Sequence, residues 1–383
     1  MMPPEEFFGA RFAGKKVMVT GHTGFKGAWL STWLLELGAE VLGFSLEPPT
    51  TPSLFESCAL ADHVDSVRGD VRDRAHLTRV LASFAPEYVF HLAAQPLVRL
   101  SYRSPAETFE TNVMGTVNVL EAVRSCRASV RVCQIITSDK CYRNHDTGEP
   151  QVESNPMGGK DPYSASKGAA ELAVAAYRDA FFAEPVREPA VSVSSVRAGN
   201  VIGGGDWGED RIVPDCIRAL ARGAPVTVRN PNSIRPWQHV LDALSGYLWL
   251  AALQTDGSRI HADGWNFGPA RPEPHTVATL VDKIIERWGT GSWQSVADAA
   301  GSAVQEAGRL LLDCSRARDM LGWNPVYDLE AALRVTVDWY RRTAREAVEP
   351  LVLTRQQIRD YMQLAADKEQ PWASFNMMRE PRH

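Results

Sequence analysis

The sequence predicts an α/β fold, in which a doubly wound parallel sheet is joined to a smaller mixed α/β domain. Short apolar runs of strand character alternate with helical runs through the first part of the chain, and a glycine-rich turn follows the first run. Beyond about residue 200 this alternation stops, which indicates a second domain. We expect the first domain over 14–200 with a returning segment around 236–268, a discontinuous substrate-binding domain over 201–349, and a polar surface tail over 350–383.

The first unit is a strand, a glycine turn and a helix. Lys16–Thr20 is apolar, and the helical run from Ala28 to Leu37 ends before Gly38, which we expect as its left-handed cap. A second strand from Glu40 to Phe44 completes a βαβ unit. Such a turn lets the backbone approach a pyrophosphate, and the helix N-terminus stabilises the charge. We therefore predict a Rossmann-type dinucleotide site that includes Gly21, Thr23, Gly24, Phe25, Lys26 and Gly27.

The end of the second strand leaves the choice of dinucleotide open. An acidic residue usually holds the adenosine ribose there, but Phe44, Ser45 and Leu46 occupy the place. Lys26 adds a positive charge near the phosphates, which suits either NAD or NADP. The residues themselves therefore predict a dinucleotide without naming it.

Later strands are expected to extend the same sheet. Ligands bind outside the carboxyl ends of parallel strands, so residues at those ends are candidates. Asp70 and Val71 could cap an adenine ring, although a plain strand-end turn is the alternative. His91 is expected to be a core residue, and the residues after it, Leu92, Ala93 and Ala94, should let a cofactor lie close. The predicted elements are strands at Val67–Asp73, Glu87–Ala94, Val130–Thr137 and Val191–Val196, and a helix at Ala106–Arg124.

Composition excludes several functional classes. A net charge of -5 without a basic stripe argues against nucleic-acid binding, and no apolar run reaches the roughly 20 residues that span a bilayer. The first 14 residues lack the features of a secretory signal. The six cysteines form no Cys-x-x-Cys, and the nine histidines show no metal-ligand spacing. We expect a cytoplasmic enzyme without a metal site.

A Tyr-x-x-x-Lys pair carries the predicted chemistry. Asp161 and Pro162 suit a helix start, and residues four apart share a helix face, so Tyr163 and Lys167 can meet. The ammonium would lower the phenol pKa from about 10, and the phenolate could take a hydroxyl proton while a hydride leaves to a cofactor. A surface pair on an amphipathic helix is the alternative. The fifth strand should deliver Thr137, Ser138, Asp139 and Lys140 beside this helix.

These features together resemble the extended short-chain dehydrogenase/reductases, and among them the nucleotide-sugar 4,6-dehydratases. The longer runs are similar to the branch that acts on CDP-glucose, and the resemblance covers Lys16 to about Trp339. It implies tightly bound, recycled NAD, a CDP-hexose substrate, a homodimer or dimer of dimers, and a place in the synthesis of deoxysugars for a surface polysaccharide. The runs that carry it are residues 21–27, 91–101, 137–142, 196–207 and 234–240.

The resemblance also implies roles for the catalytic residues in C4 oxidation, loss of water across C5–C6 and return of hydride to C6. Tyr163 would be the base, Lys167 would lower the tyrosine pKa and hold the nicotinamide ribose, and Ser138 (or Thr137) would bind the same oxygen. Asp139 would be the acid for the C6 hydroxyl, with its pKa raised by burial or ligand. Lys140 would be either a neutral base for C5 or a charged stabiliser of the enolate, and a solvated Asp-Lys loop pair is the alternative.

The substrate residues follow by the same analogy. Gln95 and Asn200 would contact the substrate, Asn200 at its phosphate or sugar. Arg211 and Arg235 are suited to a diphosphate, although each could instead form a surface ion pair. A 4-epimerase, which needs only the tyrosine, the lysine and a hydroxyl residue, and a cofactor-binding module without catalysis are the alternative functions. The helices over 106–124 and 162–180 would pair with their copies in a dimer.

Overall fold

A computed structural model of the protein describes residues 2–144, 148–183, 190–255, 259–270, 275–296 and 310–374. Its centre is a sheet of seven strands, with helices on both faces. The strands of the described residues are β1 (Lys16–Thr20), β2 (Glu40–Ser45), β3 (Asp65–Arg68), β4 (Tyr88–His91), β5 (Val132–Ile136), β6 (Ser192–Ala198), β7 (Val201–Ile202), β8 (Val226–Val228), β9 (Gln238–His239), β10 (Gly264–Phe267) and β11 (Trp293–Ser295).

The helices lie between these strands and after them. Two π-helical turns, Glu110–Met114 and Arg178–Phe182, join α5 to α6 and extend α7. The α-helices of the described residues are α1 (Phe25–Glu36), α2 (Leu54–Ser57), α3 (Arg74–Phe84), α4 (Val98–Arg103), α5 (Pro105–Phe109), α6 (Gly115–Ser125), α7 (Pro162–Tyr177), α8 (Ile212–Ala221), α9 (Val240–Gln254), α10 (Val277–Trp288), α11 (Ser315–Leu321), α12 (Leu329–Arg345) and α13 (Pro350–Asp367).

The central sheet has the order β10-β6-β5-β4-β1-β2-β3, and all its neighbouring strands are parallel. The chain runs outward from β1 to β3 and then returns to the other side of β1 with β4. In doubly wound sheets a ligand crevice opens where the strand order reverses, outside the carboxyl ends of the strands. The fold class predicted from the alternation of strands and helices is confirmed, and the crevice lies beside β1 and β4.

Local signals placed several elements well. β1 has the predicted bounds, and Gly38 has a φ of +76°, as expected of a left-handed cap. The Asp161 side chain accepts a hydrogen bond from the Ser164 backbone N–H at 2.9 Å and so caps α7. Helix α1 begins at Phe25, earlier than the predicted Ala28, so the glycine turn runs directly into the helix.

The third strand is a correction, because β3 ends at Arg68 instead of continuing to Asp73. Asp70 Oδ1 accepts a hydrogen bond from the Arg72 N–H at 2.9 Å, and this local turn replaces the sheet ladder. β4 likewise ends at His91 rather than at Ala94, so the small residues after it are loop residues. Both differences leave more irregular backbone at the carboxyl edge of the sheet, where a ligand can approach.

The segment after Glu349 also differs from the predicted polar surface tail. Helix α13 buries one face, and its Tyr361 hydroxyl donates to Asp242 Oδ1 at 2.8 Å. Beyond it, Trp372 stacks on Phe8 with ring centroids 4.9 Å apart. The average polarity of the segment concealed apolar residues at helical spacing, which is the signal that decides whether a helix packs.

The chain after β6 combines two roles. β10 returns to the central sheet beside β6, as expected of the segment around 236–268. The remaining elements form a smaller mixed region, in which β8 pairs with β11 and β7 pairs with β9. The exact domain bounds stay a prediction. No helix in the part of the chain described here is long and apolar enough to cross a membrane.

Candidate active site

Strand β5 delivers polar side chains to the carboxyl edge of the sheet. Ser138 follows the strand in extended conformation, with φ -165° and ψ 158°, and its Oγ accepts a hydrogen bond from the Lys140 N–H at 3.2 Å. This cap starts a short 3-10 turn at Asp139, which turns the chain back over the edge. Thr137, Ser138 and Asp139 are buried, and Lys140 is half-buried.

Helix α7 brings the Tyr-x-x-x-Lys pair against this edge. The Tyr163 N–H donates to Ser101 Oγ at 3.1 Å, and Lys167 Nζ donates to the Ile136 carbonyl at 3.4 Å. Tyr163 is 8% exposed and Lys167 is 6% exposed, which excludes a solvated surface pair. The Ser138 side chain lies close enough to Tyr163 to act on the pKa of its phenol. The predicted meeting of the pair with the end of the fifth strand is therefore present in the structure.

The electrostatics of Tyr163 are the reverse of those expected. Burial raises the pKa of Tyr163 to about 12, although the Ser138 hydrogen bond and the Arg211 charge act in the lowering direction. Burial also lowers the pKa of Lys167 to about 8, against the charge of Glu171, which acts to raise it. The net shift of the phenol pKa is therefore upward, because the cost of burying a charge exceeds the benefit of the groups that favour the phenolate. The role of Lys167 in lowering that pKa stays a prediction.

Asp139 matches the expected general acid. It is 2% exposed, and burial raises its pKa against the opposing charges of Lys140, Arg235 and Lys26 and the Ser138 hydrogen bond. Its Oδ1 accepts from Ser138 Oγ at 2.9 Å, whereas its Oδ2 has no hydrogen-bond partner among the described residues. A buried carboxyl with a raised pKa can hold a proton and donate it.

Lys140 lies over the tyrosine. Its Nζ is 6.0 Å from the centroid of the Tyr163 ring, within the range of a cation–π contact. The alternative of a solvated Asp-Lys loop pair does not apply, because Asp139 is buried. The position brings the Lys140 ammonium close to the ring whose hydroxyl would become the phenolate.

The glycine turn packs too tightly for side chains. Gly21 has a φ of +77°, and a Cβ there would lie 2.7 Å from the Ala93 backbone nitrogen. A Cβ on Gly27 would lie 2.1 Å from the Gly21 carbonyl oxygen. Gly24 is the N-cap of α1, whose first turn contains no acidic residue. The bare backbone and the unopposed helix N-terminus fit the pyrophosphate of a dinucleotide.

Ser45 is the last residue of β2, at the position where a carboxylate usually binds the adenosine ribose. The Thr23 hydroxyl and the Ser45 hydroxyl are 2.7 Å apart, and Thr23 Oγ1 also donates to the Leu46 carbonyl at 3.1 Å. Thr23 thus ties the glycine turn to the end of β2. Phe25, at the start of α1, is half-buried beside this turn.

The proposed adenine side stays a prediction. The Asp70 carboxylate accepts from Arg72 Nε at 2.9 Å, and this hydrogen bond lowers the pKa of Asp70. Val71 is buried against Gly115, whose Cβ would come within 2.7 Å of it. Three half-buried residues line the other wall of the crevice after β4: Leu92, Ala93 and Ala94.

Lys26 lies among the catalytic groups, and its predicted position near the phosphates stays a prediction. Its Nζ lies 6.0 Å above the ring of Tyr247, and its charge interacts with Asp139, Lys167 and Arg211. Burial, followed by the Lys167 and Arg211 charges, lowers the pKa of Lys26 to about 8. Lys26 thus adds a further cation to the catalytic groups.

Tyr247 was missed by sequence reasoning. It lies on α9, is fully buried, and its hydroxyl has no partner among the described residues. The Asp139 charge, after burial, helps to raise its pKa, so the two oxygens lie close enough to interact. No short motif surrounds this tyrosine, and only the packing of α9 against the sheet brings it to the site.

The two arginines predicted to bind the diphosphate lie near the catalytic groups. Arg235 is 8% exposed, and its charge acts on Asp139. Arg211 Nη1 contacts both Asp206 oxygens, at 2.9 and 3.0 Å, and that carboxylate raises the Arg211 pKa. The alternative that Arg211 forms an ion pair is therefore realised, while its charge still reaches Tyr163.

The other two substrate candidates differ from each other. The Gln95 amide donates to the Leu97 carbonyl at 3.1 Å and to Thr108 Oγ1 at 3.0 Å, and its Oε1 accepts from the Leu97 N–H. Its side chain is thus turned toward protein partners and shapes the loop before α4. Asn200 is half-buried after β6, and its carbonyl accepts from the Gln238 N–H at 3.0 Å. Substrate contact by either residue stays a prediction.

A second buried polar group lies one helical turn beyond Lys167, and the sequence reasoning missed it. We call it the support cluster: Glu171, Arg197, Thr137, Ser195 and Tyr142. Arg197 Nη2 donates to Glu171 at 2.7 Å and Arg197 Nη1 donates to the Tyr142 hydroxyl at 2.6 Å. Ser195 Oγ also donates to Glu171 at 2.6 Å. The signal for it was a carboxylate four residues after Lys167, on a helix face that carries buried residues.

Two other predictions are settled by neighbouring contacts. Thr137 donates its hydroxyl to Glu171, so Ser138 is the residue that reaches Tyr163. Contact of Thr137 with the cofactor stays a prediction. His91 lies between Thr20 and Thr116, with its ring nitrogens 2.7 and 3.3 Å from their hydroxyls, and burial lowers its pKa to about 3. Its prediction as a satisfied core residue is confirmed.

In the described ranges, no cluster of three or more His, Cys, Asp or Glu side chains is placed to hold a metal ion. The described titratable groups that do converge include two phenols (Tyr163 and Tyr247), the carboxyl of Asp139 and three lysines. Such a set is suited to moving protons and stabilising an anion, and a dinucleotide cradle lies directly beside it.

The sequence of this chain is similar to those of known proteins. Residues 18–336 match the family model described as GDP-mannose 4,6 dehydratase. The chain is 49% identical over 352 residues to the CDP-glucose 4,6-dehydratase of Salmonella typhimurium, a match that covers 91% of this chain and 96% of that protein.

Two solved structures are also similar to this chain. A UDP-glucose 4-epimerase from Thermus thermophilus, crystallised with NAD, matches with a TM-score of 0.71 and 27% identity over 85% of this chain and 99% of that chain. A dTDP-glucose 4,6-dehydratase from Streptomyces venezuelae, with NAD and TYD bound, matches with a TM-score of 0.73 and 24% identity over 88% and 99%. The second match bears on the fold alone.

Proposed function

The chain belongs to the GDP-mannose 4,6-dehydratase family, and from that membership we propose that it is an NAD-dependent CDP-glucose 4,6-dehydratase. It would convert CDP-D-glucose to CDP-4-dehydro-6-deoxy-D-glucose. The choice of CDP-glucose is supported by the 49% identity to a CDP-glucose 4,6-dehydratase over nearly the whole of both chains.

One observation supports the assignment to a dehydratase: Asp139 is a buried carboxyl whose Oδ2 has no hydrogen-bond partner among the described residues, and burial raises its pKa. A 4-epimerase needs only the tyrosine, the lysine and a hydroxyl residue, since it forms and reduces a ketone at C4. An acid is needed in addition when a hydroxyl leaves C6 as water. A buried carboxyl with a raised pKa suits the acid that elimination requires, a role that epimerisation does not include.

The cofactor fits the glycine cradle. Gly21, Gly24 and Gly27 leave backbone free to approach a pyrophosphate at the N-terminus of α1. Lys167, four residues after Tyr163 on the same buried face, is placed to hold the nicotinamide ribose. Bound NAD would supply the hydride acceptor for the oxidation at C4 and the hydride donor for the reduction at C6.

The chain's own residues then carry the protons. Tyr163 would take the C4 hydroxyl proton, and the Arg211 charge acts against the burial that raises the pKa of this phenol. The ketone at C4 acidifies the C5 proton, because the resulting carbanion delocalises into the carbonyl. Asp139 protonates the C6 hydroxyl as it leaves. Lys140 takes the C5 proton when neutral, or stabilises the enolate when charged.

The experiment is product analysis with a panel of CDP-, dTDP-, UDP- and GDP-hexoses. CDP-glucose should lose one water, visible as a mass decrease, and proton NMR should show a new C6 methyl group. Conversion of CDP-glucose to CDP-galactose at constant mass would favour the 4-epimerase. Absence of any turnover, with NAD still bound, would favour the non-catalytic cofactor-binding protein.

We further propose a homodimer or a dimer of dimers, built on the helices around α5–α6 and α7. Large apolar side chains are exposed on this surface, and burying them against a second copy would remove them from water. The exposed fractions are 38% for Phe109, 51% for Met114, 62% for Leu172 and 46% for Phe181. Light scattering after size exclusion tests this, and a monomer at micromolar concentration would contradict it.

A cytoplasmic location is part of the same proposal. The six cysteines are free thiols, which is typical of proteins in reducing compartments. Fractionation of the native cells, with detection of the protein by antibody, should place it with the cytoplasmic enzymes. Its product would be used in the synthesis of deoxysugars for lipopolysaccharide, as the resemblance to the nucleotide-sugar 4,6-dehydratases implies.

A further inference from the structure

The adenosine end of the dinucleotide site has no carboxylate at the position that usually holds the ribose. In NAD-binding folds a carboxylate there binds the ribose 2′-hydroxyl, and its negative charge also repels a 2′-phosphate. Here Ser45 is the last residue of β2, and its side chain is neutral and buried. The repulsion that separates NAD from a 2′-phosphorylated dinucleotide is therefore missing from this position.

A cationic residue lies beside Ser45 on the next strand. Arg68 is the last residue of β3 and the register partner of Ser45. Ser66, two residues before Arg68 and so on the same face of the strand, hydrogen-bonds His22 of the glycine turn, with 2.8 Å between Ser66 Oγ and His22 Nε2. The Arg68 side chain thus leaves β3 on the face that the glycine turn covers, which is the face where the dinucleotide would bind.

Three contacts hold the Arg68 guanidinium at this edge of the sheet. Its Nη1 donates to the Leu46 carbonyl at 3.0 Å. Its Nη2 is 2.9 Å from Glu47 Oε2, and its central carbon lies 5.8 Å from the centroid of the Phe55 ring. Thr23 of the glycine turn donates to the same Leu46 carbonyl at 3.1 Å. One carbonyl oxygen therefore joins the arginine to the turn that would hold the pyrophosphate.

The carboxylate that pairs with Arg68 is easily displaced. The Glu47 side chain is 77% exposed and that of Arg68 is 42% exposed, and an ion pair in such a setting contributes little because water competes with it. A phosphate monoester carries more charge than a carboxylate and also accepts two hydrogen bonds from the guanidinium fork. Glu47 can turn into solvent while the Leu46 carbonyl still holds the arginine in place.

We propose that Arg68 binds the 2′-phosphate of NADP, so that this chain accepts NADP about as well as NAD. For NAD, the Ser45 hydroxyl is the ribose partner. Thr23 donates to Leu46, so Ser45 donates to Thr23, and Ser45 Oγ accepts from the ribose 2′-hydroxyl. The inference rests on the proposed function, since it concerns the dinucleotide of that same site, but binding is measurable without any sugar substrate.

Isothermal titration of the nucleotide-free enzyme with NAD and with NADP tests the proposal. We expect the two dissociation constants of the wild-type enzyme to differ by less than about tenfold. Arg68→Met should raise the constant for NADP by about 10- to 100-fold, because a charge-assisted contact is lost, and should change that for NAD by less than about threefold. Lys15→Met is the matched control, because it breaks an exposed pair with Glu87 just before β1, at the opposite edge of the sheet, and should change neither constant.

Glu47→Gln gives a second test, which keeps the arginine. It removes the carboxylate that competes for Arg68, so NADP should bind about threefold more tightly while NAD is unaffected. This exposed substitution decides the question if Arg68→Met fails to fold. An unchanged NADP constant in either variant would overturn the proposal. Equal losses for both dinucleotides in Arg68→Met, or a wild-type preference for NAD above about 100-fold, would overturn it as well.

Turnover distinguishes this proposal from the proposed function. Because the reaction returns its hydride in each cycle, the wild-type enzyme loaded with NADP should also dehydrate CDP-glucose. If the enzyme binds both dinucleotides and dehydrates CDP-glucose with neither, the proposed function fails and the role of Arg68 in binding is kept. Dehydration with NAD together with weak binding of NADP would leave the proposed function intact and overturn the role of Arg68.

Discussion

Helix α7 carries two buried polar groups one turn apart, and they are opposites in their electrostatics. In the support cluster, Glu171 accepts hydrogen bonds from Arg197, Ser195 and Thr137, and despite its burial these partners hold its pKa below the usual range. In the catalytic group, burial raises the pKa of Asp139 and lowers that of Lys167. The support cluster therefore favours the charged form of its carboxylate, whereas burial in the catalytic group disfavours the charged forms of Asp139 and Lys167.

The number of hydrogen-bond partners accounts for this difference. Both Glu171 oxygens accept from Arg197 and from a hydroxyl, which compensates for the lost water. Asp139 Oδ2 and the Tyr247 hydroxyl have no partner in the described part of the chain. A charge fixed by several partners supports structure, whereas a proton moves readily only between groups whose charged and neutral forms are similar in free energy. Changing one cluster should therefore affect stability, and changing the other should affect catalysis.

Tyr163→Phe should give the largest effect, on catalysis alone. It removes the base that opens the reaction, and we expect kcat for CDP-glucose to fall about 10³- to 10⁴-fold. The free energy of unfolding should change by no more than about 1.5 kcal/mol, because the substitution removes a single hydroxyl and keeps the buried ring. Tyr177→Phe, on the same helix, is the control and should keep full activity. Retention of activity by Tyr163→Phe would remove the tyrosine from the chemistry.

Arg197→Met should give the matching effect on stability. It leaves the Glu171 carboxylate buried without its cation, and we expect a loss of about 3–5 kcal/mol in the free energy of unfolding, measured with denaturant. Arg342→Met breaks an exposed pair with Glu346 and should cost no more than about 1 kcal/mol. The double variant Glu171→Leu/Arg197→Met should recover part of the loss, because no buried charge remains. Equal losses for the Arg197 and Arg342 variants would contradict the assigned role of the support cluster.

The pH dependence should separate catalysis from stability at one residue. Burial lowers the pKa of Lys167 from its usual 10.5 to about 8, so its charge is lost, and kcat/KM should fall, as the pH rises through about 8. Between that value and 10.5 the unfolded chain binds more protons than the folded one, so stability should rise with pH in the same window. Activity and thermal stability thus change in opposite directions.

Lys167→Arg checks this assignment. A guanidinium keeps its charge at these pH values, so the alkaline fall in kcat/KM should disappear, at a lower overall rate because the larger group fits less well. An alkaline fall that persists unchanged in this variant would belong to another group. Lys26, whose pKa burial also lowers to about 8, would then be the first candidate.

The two clusters also show how far the sequence could predict the site. The glycine turn, the Asp161 cap and the Tyr163–Lys167 spacing are local patterns, and the structure has them where they were expected. The pairing of Glu171 with Arg197 depends on how α7 packs against β6, which no short motif records.

Lys26 and Tyr247, which lie inside the site, show the same limit of prediction from sequence. The position of Lys26 on α1 was predictable, but its direction depends on α9, which brings Tyr247 beneath it. Burial likewise decided the pKa of Tyr163, and a helical spacing alone contains no measure of burial. Local chemistry was therefore readable from the sequence, whereas the balance of charge and burial required the packed structure.

Lys26→Met should give the smallest effect and so mark the edge of the catalytic group. The Lys26 charge acts to lower the Asp139 pKa, so its removal should move the infrared titration of that carboxyl to higher pH. We expect kcat at neutral pH to change by no more than about tenfold, the equivalent of one pKa unit. Lys16→Met, which removes an exposed lysine that contacts Phe84, is the control and should leave the titration unchanged. A loss as large as that of Tyr163→Phe would instead show that Lys26 touches the reacting atoms, and an unmoved titration would show that its charge does not reach Asp139.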